Sequence, residues 1–422
     1  MKEKIIGLYK KGLFHIVGSS VLNKIIGFVS AFILVRLLSI NEYGLYSYAN
    51  NIIVIFLIFS GLGVSSGLLQ FGSENIKNKD KQDAYLLYTC KLGCIINIFL
   101  AIVIIIISSY GIFSVPKSNN IVRLMAFLPF LKFFVEVYQI NFRIRVDNKR
   151  FSVFNTIVSG ILLVSSIIGA IINGILGVII AQYVAYIIIL IIGNRISKEP
   201  IYKIINNYTL NKVDKKEFLK VSLISCFSNG ISELLYNIDI IIIGYFLVSR
   251  DIIATYKTAT IIPFALNSIP LTLVTYIYPE YASHKDNLKW IKKEYKKLLL
   301  RFGMFNLFLS GILMIFAKYI VEILFGQAYL EAIPIFRILA IGYFFAGTFR
   351  IISGNVLLML RQVKFNFYVS IFSGILNIIL NILLIPMWGS IGAAYATISV
   401  YITTSIISTT YLVIFINKKR GE

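Results

Sequence analysis

Charged residues are scarce in this chain of 422 residues: they make up 14% of it, whereas soluble domains carry about 25%. Hydrophobic residues make up 58%, and a soluble fold cannot hide that much apolar surface from water. A membrane-spanning helix needs about 20 largely apolar residues, so a dozen spans would use nearly the whole chain. The composition therefore predicts a polytopic membrane protein without a sizeable soluble domain.

Cysteine and histidine are also scarce. The cysteines Cys90, Cys94 and Cys226 all lie inside apolar runs, which gives neither a disulfide framework nor a zinc spacing. Two histidines, His15 and His284, exclude a histidine-rich metal centre. The sequence has no Walker A motif, no HExxH motif and no acidic cluster in a predicted outer loop. We expect no enzymatic cofactor, and active transport would depend on an ion gradient or on the gradient of the substrate itself.

The chain carries 41 Lys and Arg against 19 Asp and Glu, a formal charge of +22. The basic residues lie in short loops between apolar runs, which indicates membrane topology and contact with anionic lipid rather than with nucleic acid. No small-residue cleavage site follows the basic N-terminus, so the first apolar run is a span rather than a signal peptide. The predicted spans are 13–38, 43–70, 84–109, 121–142, 151–172, 176–195, 218–248, 252–279, 300–321, 332–360, 364–386 and 391–416.

The distribution of Lys and Arg tests this topology. With the N-terminus inside, the inner segments hold 30 of these residues and the outer segments hold 6. Because retained cytoplasmic loops are enriched in Lys and Arg, we expect twelve helices with both termini cytoplasmic. One inner segment, 280–299, holds Trp290 among several lysines. It predicts either a basic amphipathic helix on the anionic leaflet or a solvated connector.

Matching segments in the two halves of the chain indicate an internal repeat. LLSINEYGLYSYANNII from Leu37 matches the segment from Leu247, 210 residues later. GILGVIIA from Gly174 matches GSIGAAYA from Gly389, 215 residues later, and a match at Asn141 between them has an offset of 214. Transporters are often built from such duplicated halves.

The predicted fold is therefore all-α, with two parallel six-helix halves and a substrate path between them. The predicted division is an N-terminal lobe at 1–200, a cytoplasmic linker at 201–217 and a C-terminal lobe at 218–422.

Polar residues on one helix face in each half are candidates for lining this path, since such groups are costly against lipid. They recur at four-residue spacing in span one, and an offset of 210 leads to a second polar face in span seven. The first face contains His15, Ser19 and Asn23, and the second contains Ser225, Asn229 and Glu233.

Ionisable residues inside the spans are further candidates. Each either lines the path or serves as a buried ion pair or a snorkelling side chain. Lys132 and Glu136 are four residues apart and can pair with each other, or Glu136 can pair across the path with Arg350. Glu233 or Asp239 is our candidate for binding a coupling proton or sodium ion. The full set is His15, Lys24, Lys132, Glu136, Glu233, Asp239, Arg337 and Arg350.

A GxSxG string at Gly63, Ser65 and Gly67 matches the pattern of a hydrolase nucleophile. That motif needs a strand–turn–helix context and a histidine partner, whereas this string lies in an apolar run. Small residues that allow close helix packing explain it better.

The segment VRLLSINEYGLYSYA, from Val35 to Ala49, resembles the signature of bacterial polysaccharide and O-antigen flippases. These belong to the multidrug/oligosaccharidyl-lipid/polysaccharide exporter superfamily. The turns that begin at Gly174 and Gly389 and the run IDIIIIGYFL from Ile238 are similar to further segments of that family.

The resemblance implies a multi-pass protein of the bacterial plasma (inner) membrane. It would move an oligosaccharide on undecaprenyl pyrophosphate, a repeat unit of O-antigen, capsule or exopolysaccharide, to the outer leaflet by alternating access. A polysaccharide polymerase and chain-length machinery would be partners. Cationic walls for the pyrophosphate would come from Lys24, Lys132, Arg337 and Arg350.

Two alternatives stay open. A cation-coupled multidrug exporter of the same superfamily would share the fold, although the excess of basic residues inside the spans favours the glycolipid. A membrane glycosyltransferase or polymerase would need a large outer loop or an acidic catalytic motif, and the sequence predicts neither.

Overall fold

The computed structural model describes residues 13–197, 201, 208–284 and 286–418. Within them the chain forms fifteen α-helices and no strand, which confirms the prediction of an all-α polytopic membrane protein. The helices are α1 Leu13–Leu37, α2 Ile40–Ile58, α3 Val64–Glu74, α4 Lys79–Ser109, α5 Ser118–Leu124, α6 Leu128–Ile144, α7 Asn148–Ile196, α8 Lys212–Leu247, α9 Arg250–Leu266, α10 Ser268–Ser283, α11 Leu288–Ile315, α12 Ala317–Phe325, α13 Ala332–Phe345, α14 Ile351–Met359 and α15 Val363–Lys418.

Eight segments of the described chain are long and apolar enough to cross a membrane. Two of them, α7 and α15, contain 49 and 56 residues, which at about 1.5 Å per residue is more than twice the roughly 30 Å of a hydrocarbon core. Non-helical backbone at Asn173, Gly174 and Gly389 divides them into two arms each. Together with α6 and α8, these eight segments account for all twelve predicted spans, each of which coincides with helix.

Several predicted spans are interrupted rather than continuous. Span two breaks between α2 and α3, where Gly61, Leu62 and Gly63 all have positive φ. Span eight breaks at Asn267 between α9 and α10, because Pro270 has no N–H to continue the hydrogen-bond ladder. Spans four and nine are also divided, between α5 and α6 and between α11 and α12.

The predicted connector at 280–299 is wrong, whereas the predicted basic amphipathic helix is confirmed from Leu288 onward. Its contact with the anionic leaflet stays a prediction. From Leu288 onward this segment is the beginning of α11, and it continues without a break into span nine. The side chain of Asn287 caps α11 by accepting a hydrogen bond from the backbone N–H of Trp290 at 3.1 Å. Ile291 and Tyr295 bury one face of this extension. This extension of α11 therefore packs one face against the protein core.

The chain divides into two compact units, Met1–Asn237 and Ile238–Glu422. The division falls inside α8. The lobe boundaries at 200 and 218 stay a prediction.

The glycines of the GxSxG string serve helix packing within the first unit. A β-carbon on Gly63 would overlap the backbone of Ser222, and one on Gly67 would overlap the Ser222 side chain. Helix α3 therefore approaches α8 closely because these two positions have no side chain.

Candidate functional site

Two adjoining cavities lie in the unit Met1–Asn237, with volumes of about 440 and 360 Å³. Ser65, Ser66 and Glu136 bound both of them, so we treat them as one joined cavity. The other polar residues that line it are Ser60, Lys132 and Glu233 in the larger part and Asn23, Gln139, Arg143, Asn155 and Ser159 in the smaller part.

Helix α6 supplies the longest polar stripe of the joined cavity. Lys132, Glu136, Gln139 and Arg143 follow each other at spacings of four, three and four residues, which places them on one face. The opposite face is largely apolar and buried, as shown by Val137 and Tyr138. Because the helix is anchored by that face, the stripe is held toward the cavity.

The bend before α3 places the two serines at the cavity wall. Gly61 and Gly63 have φ of 59° and 77°, a region that favours glycine. Side chains at these positions would also overlap Phe133 and the backbone of Ser222. Ser65 and Ser66 follow directly in the first turn of α3.

The charges of the joined cavity are balanced. Lys132 interacts electrostatically with both Glu136 and Glu233. In the described chain Lys132 and Glu136 form no direct salt bridge, so the predicted pairing within α6 is replaced by a longer-range interaction. Arg143 is the second cation, and its guanidinium lies 5.6 Å from the centre of the Phe151 ring.

Such a lining can bind a polar, partly anionic molecule. Amides, hydroxyls and carboxylates bind sugar hydroxyls as donors and acceptors, and Lys132 and Arg143 can bind phosphate oxygens. Most of these groups lie on α3, α6 and the first arm of α7. The exceptions are Ser60 and the residues on α1 and α8.

The structure brings four of the predicted residues together at the joined cavity: Asn23, Lys132, Glu136 and Glu233. Ser19 is buried and Ser225 is half-buried, and neither bounds the cavity. Lys24 is exposed on α1 outside it. The side chains of His15 and Asn229 lie outside the part of the chain that the structure describes.

Asp239 is the centre of a separate polar site in the unit Ile238–Glu422. It is buried, with 5% of its surface exposed. Its Oδ2 accepts hydrogen bonds from the Tyr256 hydroxyl at 2.8 Å and from Thr397 Oγ1 at 2.9 Å. Its Oδ1 accepts one from Asn381 Nδ2 at 2.9 Å. The three donors come from α9 and from both arms of α15.

The partners of Asp239 are neutral. No basic side chain of the described chain forms an ion pair with it, and a buried carboxylate without a compensating charge is costly. The Oδ1 atom of Asn381 is buried and has no hydrogen-bond partner, and Asn377 Oδ1 is 3.1 Å from Asn381 Nδ2. This group of oxygen atoms can hold a proton on Asp239 or an oxygen-coordinated cation.

The two predicted arginines lie in the same unit as Asp239. Arg350 ends a π-helical turn, Ala346–Arg350, of the kind that is common at functional sites. Its guanidinium lies 5.2 Å from the centre of the Tyr401 ring, one turn after Thr397. Arg337 is exposed, and its Nε donates to the backbone oxygen of Met314 at 3.2 Å.

Several residues of both sites escaped the sequence reasoning. Arg143 lies just beyond the predicted span 121–142, but it continues the α6 stripe. Asn377 and Asn381 have a recognisable signal, because two amides one turn apart in an apolar span form a polar face. Thr397 and Tyr256 have none, since single hydroxyls are common in spans.

The sequence matches a known family. Residues 33–334 match the family described as "polysaccharide biosynthesis protein". A segment is 34% identical over 119 residues to an uncharacterized membrane protein of Methanocaldococcus jannaschii, and this match covers 26% of the chain and 23% of that protein. The chain thus spans about a quarter of the length of this curated relative.

The fold is similar to that of solved transporters. The TM-score is 0.76 against an inward-facing multidrug resistance MATE family transporter of the MOP superfamily, at 13% identity over 94% of this chain and 96% of that one. It is 0.73 against the lipid II flippase MurJ, at 16% identity over 95% and 87%. For a MOP superfamily transporter from Pyrococcus furiosus it is 0.60, at 12% identity over 97% and 95%.

Proposed function

Because the chain belongs to the polysaccharide biosynthesis protein family, we propose that it is a flippase for a lipid-linked oligosaccharide. The substrate would be a repeat unit on undecaprenyl pyrophosphate, moved from the cytoplasmic to the outer leaflet of a bacterial plasma membrane by alternating access. A polymerase and its chain-length machinery would then use the unit on the outer side.

The joined cavity carries this proposal. Its parts, of about 440 and 360 Å³, have the size of small-molecule sites but a lining of amides, hydroxyls and charges. An apolar drug gains little binding free energy from such a lining. An oligosaccharide can offer a hydroxyl to nearly every polar group in it. The undecaprenyl chain is apolar and needs no place inside, because lipid solvates it as well as protein does.

The balance of charge favours the glycolipid over a cationic drug. Two carboxylates, Glu136 and Glu233, face two cations, Lys132 and Arg143, in the joined cavity. A pocket for cationic drugs would gain from uncompensated negative charge. A pyrophosphate needs a cation near the sugar-binding groups, and the α6 stripe has one at each end, Lys132 in the larger part of the joined cavity and Arg143 in the smaller part.

A strain without the gene tests the function. We expect undecaprenyl-linked oligosaccharide to accumulate on the cytoplasmic side and surface polysaccharide to be lost, with both restored by the wild-type gene. A normal glycolipid pool with raised sensitivity to cationic dyes would assign the chain to drug export. A shortened or missing oligosaccharide on the lipid would instead indicate a glycosyltransferase, and an accumulation of unpolymerised units on the outer leaflet would indicate a polymerase.

We further propose that Asp239 couples transport to a proton or sodium gradient. Its carboxylate has only neutral partners, and Asn381, which donates to it through Nδ2, has a buried Oδ1 without a hydrogen-bond partner. Binding of a cation or a proton would remove the cost of the buried charge. The donors from α9 and from both arms of α15 would then be held in one arrangement when the site is filled.

A further inference from the structure

The charges of the joined cavity are divided unevenly along its length. Lys132, Glu136 and Glu233 line the larger part, so one positive and two negative side chains give it a formal charge of −1. Arg143 lines only the smaller part, at the opposite end of the α6 stripe from Lys132. The joined cavity therefore has a net negative end and a positive end.

The two cations of the joined cavity are too far apart to bind one pyrophosphate together. Lys132 and Arg143 are 11 residues apart on α6, which at about 1.5 Å per residue separates their α-carbons by roughly 16 Å along the helix. The two phosphate groups of a pyrophosphate share one bridging oxygen and cover only a small part of that distance. One of the two cations is therefore its main partner.

Arg143 is the cation without a competing carboxylate. Lys132 interacts electrostatically with both Glu136 and Glu233, so its charge is already compensated. Among the described residues Arg143 forms no ion pair, and its guanidinium lies 5.6 Å from the centre of the Phe151 ring. A guanidinium on an aromatic ring keeps its N–H groups for the oxygens of an anion.

The position of Arg143 along its helix agrees with this assignment. Helix α6 ends at Ile144, one residue later, and the loop that follows is cytoplasmic in the predicted topology. The end of a span lies at the level of the lipid headgroups. A pyrophosphate on an undecaprenyl chain lies at the same level, because the chain is held in the hydrocarbon below it.

The negative end of the joined cavity suits the sugars. With the pyrophosphate on Arg143, the oligosaccharide extends toward Glu136, two turns of α6 deeper, and toward Glu233. Ionised carboxylates only accept hydrogen bonds, which suits sugar hydroxyl groups. A protonated sugar amine gains more, because its hydrogen bonds to a carboxylate are charge-assisted. A sugar carboxylate meets net negative charge and is disfavoured.

We propose that the joined cavity selects lipid-linked oligosaccharides whose sugars nearest the pyrophosphate carry no carboxylate. Arg143 binds the pyrophosphate, and Glu136 and Glu233 accept hydrogen bonds from hydroxyl or amino groups of the sugars. This inference rests on the proposed flippase function and narrows its substrate class to oligosaccharides that begin with neutral or amino sugars.

Two matched probes test this selection by their affinity for the purified full-length protein. Both are undecaprenyl-pyrophosphate disaccharides, and they differ only in the second sugar, glucose or glucuronic acid. We expect wild type to bind the glucose probe about tenfold more tightly, and Glu233→Gln to bring the two affinities close to parity. The amide of this variant keeps an oxygen for Asn237 Nδ2, which donates to Glu233 Oε2 at 3.3 Å.

Arg143→Gln tests the other end of the cavity. It should weaken both probes, and undecaprenyl pyrophosphate without sugar, by about tenfold, while the preference for glucose over glucuronic acid stays. The controls are Lys149→Gln near Arg143 and Glu217→Gln on the same helix as Glu233. Both residues are exposed and do not line the joined cavity, so both variants should bind as wild type does.

The outcomes separate this inference from the function on which it rests. If wild type binds the two probes equally, or binds glucuronic acid more tightly, the selection is overturned and the flippase proposal stands. Unchanged binding of undecaprenyl pyrophosphate to Arg143→Gln would overturn the placement of the pyrophosphate. A loss of preference in Glu217→Gln as large as in Glu233→Gln would show a diffuse effect of charge and would also overturn the selection. If wild type binds neither probe, the flippase proposal fails together with the inference.

Discussion

Gly174 and Gly389 bend the backbone in the same way, 215 residues apart. Their φ and ψ angles are 49° and −134° for Gly174 and 59° and −141° for Gly389. Each divides a long helix into two arms of spanning length. Their surroundings differ: the Glu42 carboxylate occupies the space of a β-carbon at Gly174, whereas the nearest atom at Gly389 is Leu247 Cδ1 at 3.9 Å.

This difference predicts two sizes of effect for alanine substitutions. Gly389→Ala should destabilise the protein by about 1–3 kcal/mol through backbone strain alone. Gly174→Ala should lower the thermal unfolding midpoint further, because the new methyl group also displaces Glu42. Gly160→Ala is the control, since a β-carbon there meets nothing within 4 Å in regular helix, and it should match or exceed wild type. A Gly389→Ala midpoint equal to that of the control would contradict the strain argument.

Asp239→Asn should remove the dependence of transport on an ion gradient. The amide keeps the size of the side chain but cannot bind a proton or compensate a cation. In proteoliposomes loaded with the lipid-linked oligosaccharide, we expect wild-type flux to respond to an imposed proton or sodium gradient and variant flux not to respond. Sodium should also raise the thermal midpoint of wild type if it is the ion, and this rise should vanish in the variant.

The control for Asp239 is Asp251→Asn, an exposed carboxylate in the first turn of α9. It should keep both responses. If Asp239→Asn still responds to the gradient while folding normally, Asp239 is a structural residue and the coupling site lies elsewhere.

Substitutions in the α6 stripe should weaken substrate binding without unfolding the helix. Lys132→Met and Glu136→Gln change side chains that are exposed to the joined cavity and form no direct salt bridge with each other. We expect each to reduce affinity for the lipid-linked oligosaccharide by about tenfold, as for a lost hydrogen bond to a charged group. Binding to purified protein gives the measurement, and Lys91→Gln, exposed on α4 outside the cavity, should bind as wild type does.

The inner and outer loops give a direct test of orientation. In a variant without Cys90, Cys94 and Cys226, the exposed Lys117→Cys should react with a membrane-impermeant thiol reagent in intact spheroplasts. The exposed Lys77→Cys should react only after the membrane is opened. The opposite pattern would invert the predicted topology.

Much of the fold can be predicted from the sequence, because hydropathy and the internal repeat are both patterns that extend over long segments. All twelve predicted spans coincide with helix, and the offset of 210 that pairs Ser39 with Ser249 also pairs two helix caps. The break at Asn267 follows from Pro270, which is visible in the sequence. The break before α3 is harder to predict, since it depends on which carbonyl groups the surrounding helices can satisfy.

The sites were less predictable because the two halves differ in detail. Tyr46 and Gln182 are hydrogen-bonded at 2.8 Å, and the repeat offsets relate them to Tyr256 and Thr397. The offset of 210 relates Asp239 to a valine in the first half. Only the second half therefore has a carboxylate beside the tyrosine of this pair. The spacing of polar residues in the sequence shows which of them share a helix face. It does not show which neighbouring side chain each of them hydrogen-bonds.

Glu42, in the E-Y-G turn, has two roles in the scaffold. It completes the cap of α2, accepting hydrogen bonds from Ser39 N and Oγ at 3.2 and 2.9 Å, and it lies against the bend at Gly174. Through Glu42 the most recognisable motif of the chain packs the start of α2 against the bend of α7. Glu42 does not line the joined cavity. A transport defect caused by a change at this position would report on assembly of the lobe and would say nothing about which sugar is carried.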